Sequence, residues 1–184
     1  MDFEIKLIEF LQAGRTPFFD ASFQVISLIG SYVGAVALVL FLLFFKKRYA
    51  FFFLFSYGFA YLTQSIMKST IMRERPFNVS DTIFNIGDTV TSFSMPSGHV
   101  VCATMIAIFL GAYLFSIYKK KSSRVWISLA LGVYVLLVML SRMYLGKHFL
   151  TDVLAGAGVG IVFAVLGLVL MYFYGKSKKK PVKE

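Results

Sequence analysis

The sequence predicts an all-α fold: a polytopic membrane helical bundle of about five transmembrane helices, preceded by an N-terminal interfacial helix. Apolar residues make up 58% of the 184 residues, and the mean hydropathy is +0.76, well above that of soluble domains. The apolar residues form several near-continuous runs of membrane-spanning length. These runs are apolar on all sides rather than along one stripe, which argues against a soluble helical bundle.

The length and charge of the chain limit its organisation and its partners. There is room for one domain, so we expect residues 1–184 to form a single unit. The net charge of +10 does not indicate nucleic-acid binding, because most basic residues lie in short clusters at the ends of apolar runs. Membrane topology and anionic headgroups account for such clusters. The single cysteine, Cys102, lies inside an apolar run and is expected to be buried.

The N-terminal segment mixes acidic, basic and apolar side chains. A secretory signal would have a basic start and an apolar core, so we interpret residues 1–17 as a short helix in the membrane interface. Glu4 interrupts the apolar stripe of this helix. We expect Pro17 to end the helix and Asp20 to cap the one that follows.

The first two predicted spans cover about residues 21–45 and 49–67. Gly30 and Gly34 permit a bend or close helix packing in the first span, and the basic residues 46–48 end it. The second span is rich in aromatic residues.

Residues 72–95 form the one long polar connection, and its length suggests a functional role. Pro76 disfavours helical geometry at Arg75, which we therefore expect to leave the helix and turn back toward a site. Lys68 lies seven residues earlier, about two turns, so both bases share one side if the helix persists that far. The alternative is that Lys68 and Arg75 are interface anchors.

The third predicted span, about residues 96–118, opens with Pro96, Ser97, Gly98 and His99. Proline suits a first helical turn, serine can cap, and glycine lets a ligand approach the backbone. Free amides at a helix start bind anions. His99 beside such a start is a candidate proton donor.

The stretch 141–152 separates the fourth span, about residues 125–140, from the fifth, about residues 149–174. His148 and Asp152 are four residues apart, so they lie on one face if a helix starts near His148. The carboxylate would then fix the imidazole tautomer and leave the other nitrogen free as a nucleophile or base.

The same stretch also carries two basic side chains, Arg142 and Lys147. Arg142 could hold an anion with its guanidinium fork. The alternative for the whole stretch is a membrane-edge cluster in which Arg142 and Lys147 reach lipid headgroups.

Charge distribution predicts the orientation of the chain. Basic residues concentrate at 46–48, at 119–124 and in the tail 176–184, which we expect to be cytoplasmic. The motif-bearing ends and the N-terminus then face outward. Close helix contacts are expected in the fifth span at Gly156, Gly158 and Gly160.

Three motifs follow one another in the chain: K-x6-R-P from Lys68 to Pro76, P-S-G-H from Pro96 to His99, and S-R-x5-H-x3-D from Ser141 to Asp152. Together they resemble the three signatures of the type 2 phosphatidic acid phosphatase family, complete and in order. The resemblance implies hydrolysis of a phosphomonoester or diphosphate through a phosphohistidine, with no metal ion or other cofactor.

The resemblance also implies a role for each matching residue. His148 would be the nucleophile, Asp152 its orienting carboxylate, and His99 the acid for the leaving group. The phosphoryl oxygens would be bound by Lys68, Arg75, Ser97, Gly98 and Arg142.

A lipid phosphate fits an outward site at headgroup depth in a chain with almost no soluble part. We expect a plasma-membrane lipid phosphatase that acts on undecaprenyl diphosphate, with phosphatidylglycerol phosphate or phosphatidic acid as close alternatives. A lipid phosphotransferase shares the mechanism. A non-enzymatic headgroup-binding or transport protein would need the bases but not two histidines and an oriented carboxylate. A vanadate-dependent peroxidase is disfavoured by so small a membrane bundle.

Overall fold

The computed structural model of the protein describes residues 2–177, which form eight helices, joined by turns and loops, and no strand. The helices are α1 (Asp2–Gln12), α2 (Pro17–Ile29), α3 (Tyr32–Phe45), α4 (Lys47–Ile71), α5 (Pro76–Val79), α6 (Gly98–Ile117), α7 (Lys121–Tyr144) and α8 (Leu150–Ser177). Four of them, α4, α6, α7 and α8, are long and apolar enough to cross a membrane, and α2 with α3 adds a fifth span if the bent pair counts as one. The predicted all-α bundle of about five spans is confirmed.

The first span is broken between α2 and α3, which meet at an angle of 46°. The Ser31 hydroxyl caps α3 by accepting from the amide of Val33 at 3.1 Å. A side chain at Gly34 would clash with the carbonyl of Ile29, so glycine permits the bend. A Cβ at Gly30 would lie 2.6 Å from the Val138 side chain, so this glycine lets α2 approach α7. Both predicted roles, bend and close packing, are present.

The predicted boundary between the first two helices is wrong. α1 ends at Gln12, and Pro17 begins α2 instead of ending the preceding helix. The cap is Thr16, whose hydroxyl accepts from the amide of Phe19 at 3.2 Å. Proline is favoured at the first helical position because its missing N–H has no intrahelical partner there. Asp20 therefore lies in the first turn rather than at the cap.

The second span is longer than predicted, because Lys47 begins α4 and the helix runs to Ile71. It ends at Met72, whose φ of 49° is left-handed. Arg75 is extended (φ −84°, ψ 154°) and precedes the short α5, so the prediction that Arg75 leaves the helix is confirmed. The helix ends at Ile71, so the condition under which Lys68 and Arg75 would share one helical side is not met.

α6 is the central helix, buried along most of its length between α3, α4, α7 and α8. Two glycines of α8 allow its close approach: a Cβ at Gly156 would lie 2.6 Å from the carbonyl oxygen of Ser97, and one at Gly160 would lie 2.7 Å from Cβ of Thr104. Gly158 faces open space, so its predicted contact role is wrong. The start of α6 is thereby held against the start of α8.

The predicted basic tail, residues 176–184, lies mostly outside the described residues. α8 continues through Lys176 to Ser177, so these two residues form the end of a helix rather than the start of a tail.

Candidate active site

The predicted site residues come together at one end of the bundle, opposite the basic connections at 46–48 and 119–121. They are contributed by five segments: the last turn of α4 (Lys68), the connection before α5 (Arg75), the start of α6 (Ser97, Gly98, His99), the last turn of α7 (Arg142), and the α7–α8 turn with the first turn of α8 (His148, Asp152).

His148 is buried in the turn between α7 and α8, and the turn depends on Gly146. Gly146 has a φ of 72°, which favours glycine, and a Cβ there would clash with the carbonyl oxygen of Phe84. The turn brings Nδ1 of His148 within 3.7 Å of Oδ2 of Asp152. The predicted pair is therefore present, although α8 begins at Leu150 and not at His148.

A serine hydroxyl connects the two members of this pair. Oγ of Ser94 donates to Oδ2 of Asp152 in a short hydrogen bond and lies 3.4 Å from Nδ1 of His148. Oδ2 of Asp152 also accepts from the amide of Phe149 at 2.9 Å, as an acidic residue at the third position of a helix does. The carboxylate is thus fixed by the same contacts that start α8.

Arg75 lies against the other nitrogen of His148. Its Nη1 is 3.5 Å from Nε2 of His148 and donates to the carbonyl of Lys147 at 2.9 Å. Its Nε donates to the carbonyl of Ser92 at 2.7 Å. Arg75 is only 4% exposed, so a rigid guanidinium borders the free side of the imidazole.

Arg142, His99 and Lys147 line one cavity of about 370 Å³ beside the start of α6. Nη1 of Arg142 donates to the hydroxyl of Ser27 at 2.6 Å, whereas its buried Nε has no hydrogen-bond partner among the described residues. Within residues 2–177 the imidazole of His99 also accepts and donates no hydrogen bond. Buried donors without partners are costly, so the cavity wall suits an anion.

The start of α6 differs in detail from the prediction. Pro96 precedes the helix instead of forming its first turn, and Ser97 is the N-cap residue without a side-chain capping bond. The buried hydroxyl of Ser97 has no partner in the described part of the chain. A Cβ at Gly98 would lie 2.8 Å from Oε1 of Gln64, so a larger residue there would displace the end of this α4 side chain.

Lys68 reaches the site from α4 through the backbone of residues 93 and 94. Its Nζ donates to the carbonyl of Phe93 at 2.5 Å and lies 3.4 Å from that of Ser94. The ammonium therefore contacts the backbone of the same serine whose hydroxyl bonds Asp152.

A sequence model of the PAP2 superfamily matches residues 49–177, more than two thirds of the chain and all three motifs. The chain belongs to the PAP2 superfamily. The predicted resemblance to type 2 phosphatidic acid phosphatases is confirmed.

Two curated relatives are similar to this chain in sequence. Phosphatidylglycerophosphatase B of Bacillus subtilis is 36% identical over 109 residues, which are 57% of this chain and 49% of the relative. Lipid A 4'-phosphatase of Porphyromonas gingivalis is 27% identical over 191 aligned positions, which cover 97% of this chain and 76% of the relative. The match thus spans about half the length of the Bacillus protein.

Two solved structures share the fold of this PAP2 chain. One is the transmembrane PAP2-type phosphatidylglycerolphosphate phosphatase from Bacillus subtilis, with a TM-score of 0.80 at 24% identity over 99% of this chain and 88% of that one. The other is Aquifex aeolicus LpxE, with a TM-score of 0.75 at 25% identity over 90% of this chain and 94% of that one. They confirm a multi-pass membrane fold.

The electrostatics of the PAP2 site keep His148 uncharged. Burial lowers the pKa of its imidazole well below the ordinary value, and the positive charges of Arg142 and Arg75 lower it further, while the Asp152 carboxylate acts in the opposite direction. The imidazole is therefore neutral at pH 7, which leaves a lone pair on one of its nitrogens.

Three residues around the site were not assigned a role from the sequence. Ser94 and Arg73 both bond Asp152; Nη1 of Arg73 lies 2.7 Å from Oδ1. Lys147 is buried and bonds the long polar connection: its Nζ donates to Oδ1 of Asn85 and to the carbonyl of Asp88. The only signal for Ser94 and Arg73 was their position in the long polar connection.

Proposed function

We propose that this protein is an integral membrane phosphatase that hydrolyses a lipid phosphate or diphosphate through a phosphohistidine, without a metal ion. The observation that carries the proposal is the placement of His148. Its Nδ1 faces Asp152 and Ser94, while its Nε2 lies 3.5 Å from the guanidinium of Arg75. One nitrogen is oriented by a carboxylate, and the other faces the group that would hold the phosphoryl oxygens.

The reaction proceeds in two steps. The lone pair on Nε2 of His148 attacks phosphorus, a P–N bond forms, the P–O bond to the leaving group breaks, and His99 protonates the departing oxygen. His99 then takes a proton from water, the water oxygen attacks phosphorus, the P–N bond breaks, and inorganic phosphate leaves. Asp152 stabilises the positive imidazole of the intermediate, as the carboxylate of a serine-protease triad does.

Basic groups carry out the charge neutralisation that phosphoryl transfer requires. Lys68, Arg75 and Arg142 surround the site, and the amides at the start of α6 add partial positive charge. The unpartnered Nε of Arg142 and hydroxyl of Ser97 are free to bind phosphoryl oxygens. Both oxygens of Asp152 accept hydrogen bonds, and in this proposal the carboxylate orients His148.

The substrate is a lipid, and we favour undecaprenyl diphosphate. The names of the relatives, a phosphatidylglycerophosphatase and a lipid A phosphatase, support the lipid class. The diphosphate is favoured because Arg142 and Lys147 line a cavity of about 370 Å³ beside Arg75, so the cations extend past a single phosphate. Phosphatidylglycerol phosphate is the second candidate, since the Bacillus relative is named for it; phosphatidic acid is a third.

The active site faces the extracytoplasmic side of the plasma membrane in this proposal. The basic connections at 46–48 and 119–121 lie at the opposite end of the bundle, and positive residues are retained on the cytoplasmic side. The lipid headgroup would then be processed where it emerges from the outer leaflet.

Release of inorganic phosphate by purified protein in mixed micelles tests the proposal. We expect the wild type to hydrolyse the lipid diphosphate in EDTA and to be inhibited by vanadate. His148→Ala should be inactive, and Asp152→Asn should lose a factor of about 10² to 10⁴ in kcat because the imidazole is released. Asp81→Asn, at an exposed position of the 72–95 connection, is the matched control.

The alternatives give different results in the same assay. Turnover by folded His148→Ala, or activity lost in EDTA and restored by Mg²⁺, would contradict the histidine mechanism. A phosphotransferase would transfer the phosphoryl group from the substrate to a second lipid instead of to water. A protein that only binds headgroups would release no phosphate from any lipid.

A further inference from the structure

α1 presents polar side chains inward, toward the active site. Glu4, Ile8 and Gln12 are spaced four residues apart and therefore lie on one face. Ile8 and Gln12 are buried, whereas Phe3 and Phe10 on the other side are 69% and 77% exposed. A helix that merely lies in the interface would turn its polar face to water. The inward polar groups must therefore have partners in the protein.

Glu4 is bonded to two residues next to the catalytic pair. Its Oε2 lies 2.7 Å from Nη2 of Arg73, and its Oε1 accepts from the amide and the hydroxyl of Thr151 at 2.9 and 2.8 Å. Partial burial would raise the pKa of the Glu4 carboxyl, but the hydrogen bonds from Thr151 and Arg73 lower it below its ordinary value. Glu4 is an anion at neutral pH.

Arg73 uses its other terminal nitrogen for the catalytic carboxylate. Nη1 donates to Oδ1 of Asp152 at 2.7 Å and to the hydroxyl of Thr151 at 2.5 Å. The guanidinium stacks on the ring of Phe149 at 4.1 Å, which fixes its plane. Negative and positive charges alternate from Glu4 through Arg73 to Asp152, and Asp152 in turn faces the neutral imidazole of His148.

This arrangement divides the two oxygens of Asp152 between two tasks. Oδ1 is held by Arg73, while Oδ2 remains for Ser94, the amide of Phe149 and His148. An arginine with no second partner could take both carboxylate oxygens in a bidentate fork and neutralise them. Glu4 occupies the other arm of Arg73 and prevents that.

We propose that Glu4 and Arg73 are positioning residues of the active site, through which α1 keeps Oδ2 of Asp152 directed at the imidazole of His148. The inference rests on the histidine mechanism proposed above. Gln12 strengthens the attachment of α1. Its side-chain amide donates to the carbonyls of Phe84 and Tyr144 and accepts from the backbone N–H of Phe84. The N-terminal helix is then part of the catalytic apparatus.

Glu4→Gln and Asp2→Asn form a matched pair of variants. Each removes one negative charge from α1, but Asp2 is exposed and has no hydrogen bond or ion pair within the described residues. We expect Glu4→Gln to lower kcat by about tenfold with KM changed less than about twofold, because the carboxylate acts on the chemical step. Asp2→Asn should match the wild type.

A double-mutant cycle tests whether Glu4 acts through Arg73. Arg73→Gln should lower kcat more than Glu4→Gln does, and the combined variant should be no slower than Arg73→Gln alone. Arg73→Lys should restore only part of the rate, because an ammonium lacks the fork that bridges two carboxylates. Independent, multiplicative losses from the two substitutions would overturn the inference.

The rate of phosphoenzyme formation in a single turnover separates positioning from folding. This rate does not depend on the fraction of active protein, so misfolding of part of the sample does not change it. We expect the rate to fall in Glu4→Gln because positioning is lost, even when the thermal stability is unchanged. If Glu4→Gln forms the phosphoenzyme as fast as Asp2→Asn, the positioning role of Glu4 is wrong. An inactive His148→Ala would in that case still support the proposed histidine mechanism. If His148→Ala turns over, the histidine mechanism itself is wrong.

Discussion

At the scale of single residues, the proposed catalytic pair is held by side chains from distant parts of the chain. His148 and Asp152 were paired correctly from their spacing, because neighbours along a helical turn can be found within one segment. Ser94 and Arg73 bond the same carboxylate from 58 and 79 residues away. Ordinary serines and arginines occur in any polar connection, so only the tertiary structure reveals these contacts.

Lys147 has surroundings in the structure that its position in the sequence did not predict. The alternative of a headgroup anchor fitted its position at the end of a span. In the structure it is 3% exposed and bonds Asn85 and Asp88. Burial lowers its pKa from 10.5 to about 8, and the positive charges of Arg142 and Arg75 act in the same direction against Asp88.

This shift predicts opposite effects of pH on binding and on stability. Above pH 8 the ammonium loses its proton, so KM for an anionic lipid should rise as pH passes through about 8. In the unfolded state the lysine keeps this proton up to a pH of about 10.5, so between pH 8 and pH 10.5 the unfolded chain binds more protons than the folded protein. The contribution of Lys147 to the free energy of unfolding therefore increases as pH rises through this range. Groups facing the ammonium are Asp88, Arg142, Arg75 and the ring of Phe77.

The measurement is the pH profile of KM for wild type, Lys147→Arg and Lys147→Gln. The arginine stays charged, so its KM should stay level where that of the wild type rises. The glutamine variant should have a raised KM without this titration. An identical rise near pH 8 in the glutamine variant would assign the titration to another group.

At the scale of helices, apolar runs predicted which segments span the membrane. The residues at which the helices begin and end depend on features that hydropathy does not report. Lys47 was taken as a stop signal but begins α4, because a long basic side chain can reach water from within a helix. The break between α2 and α3 was allowed by glycine but not required by it. The contacts of Glu4 across 147 residues could not be predicted from the chain.

Two glycines of α8 predict a sharp contrast between otherwise similar substitutions. Gly156→Ala would place a Cβ 2.6 Å from the carbonyl oxygen of Ser97, whereas Gly158→Ala meets nothing within 4 Å. Gly156 lies one turn after Asp152, so Gly156→Ala should push this part of α8 away from the start of α6. We expect it to lower both the melting temperature and kcat. The second should be neutral or stabilise by up to about 1 kcal/mol, because alanine favours helix over glycine.

Thermal unfolding and kcat in detergent check this contrast. A destabilisation of about 1 to 3 kcal/mol is expected for Gly156→Ala, as for overpacking in other cores. Equal behaviour of the two variants would mean that the α6–α8 contact does not hold the site together.

At the scale of the whole molecule, all motif residues gather at one end and the basic connections at the other. We expect the long connection at 72–95 to be extracytoplasmic and that at 119–121 to be cytoplasmic. Single cysteines at the exposed positions Asp81 and Ser122, in a Cys102→Ala background, report the two sides. Asp81→Cys should react with an impermeant reagent in intact cells and Ser122→Cys only after lysis; the reverse pattern would place the site in the cytoplasm.

The position of the cations also predicts the choice among lipids. Arg75 borders His148, whereas Arg142 and Lys147 line the cavity next to it, so a second phosphate would have Lys147 as a basic partner beyond the groups that hold the first. We expect kcat/KM in mixed micelles to be highest for undecaprenyl diphosphate, followed by phosphatidylglycerol phosphate and phosphatidic acid, with glucose 6-phosphate last because it has no apolar tail to bind.

Lys147→Ala separates a diphosphate site from a general attraction for anions. If Lys147 binds the second phosphate, the variant should lose about tenfold more in kcat/KM for undecaprenyl diphosphate than for phosphatidic acid, equivalent to about 1.4 kcal/mol of transition-state binding. Lys6→Ala, which removes a positive charge from the exposed side of α1, controls for net charge. Equal losses for both lipids, or a glycerophospholipid preferred tenfold by the wild type, would contradict the diphosphate choice and favour a monophosphate substrate. A soluble sugar phosphate in first place would contradict the lipid class itself.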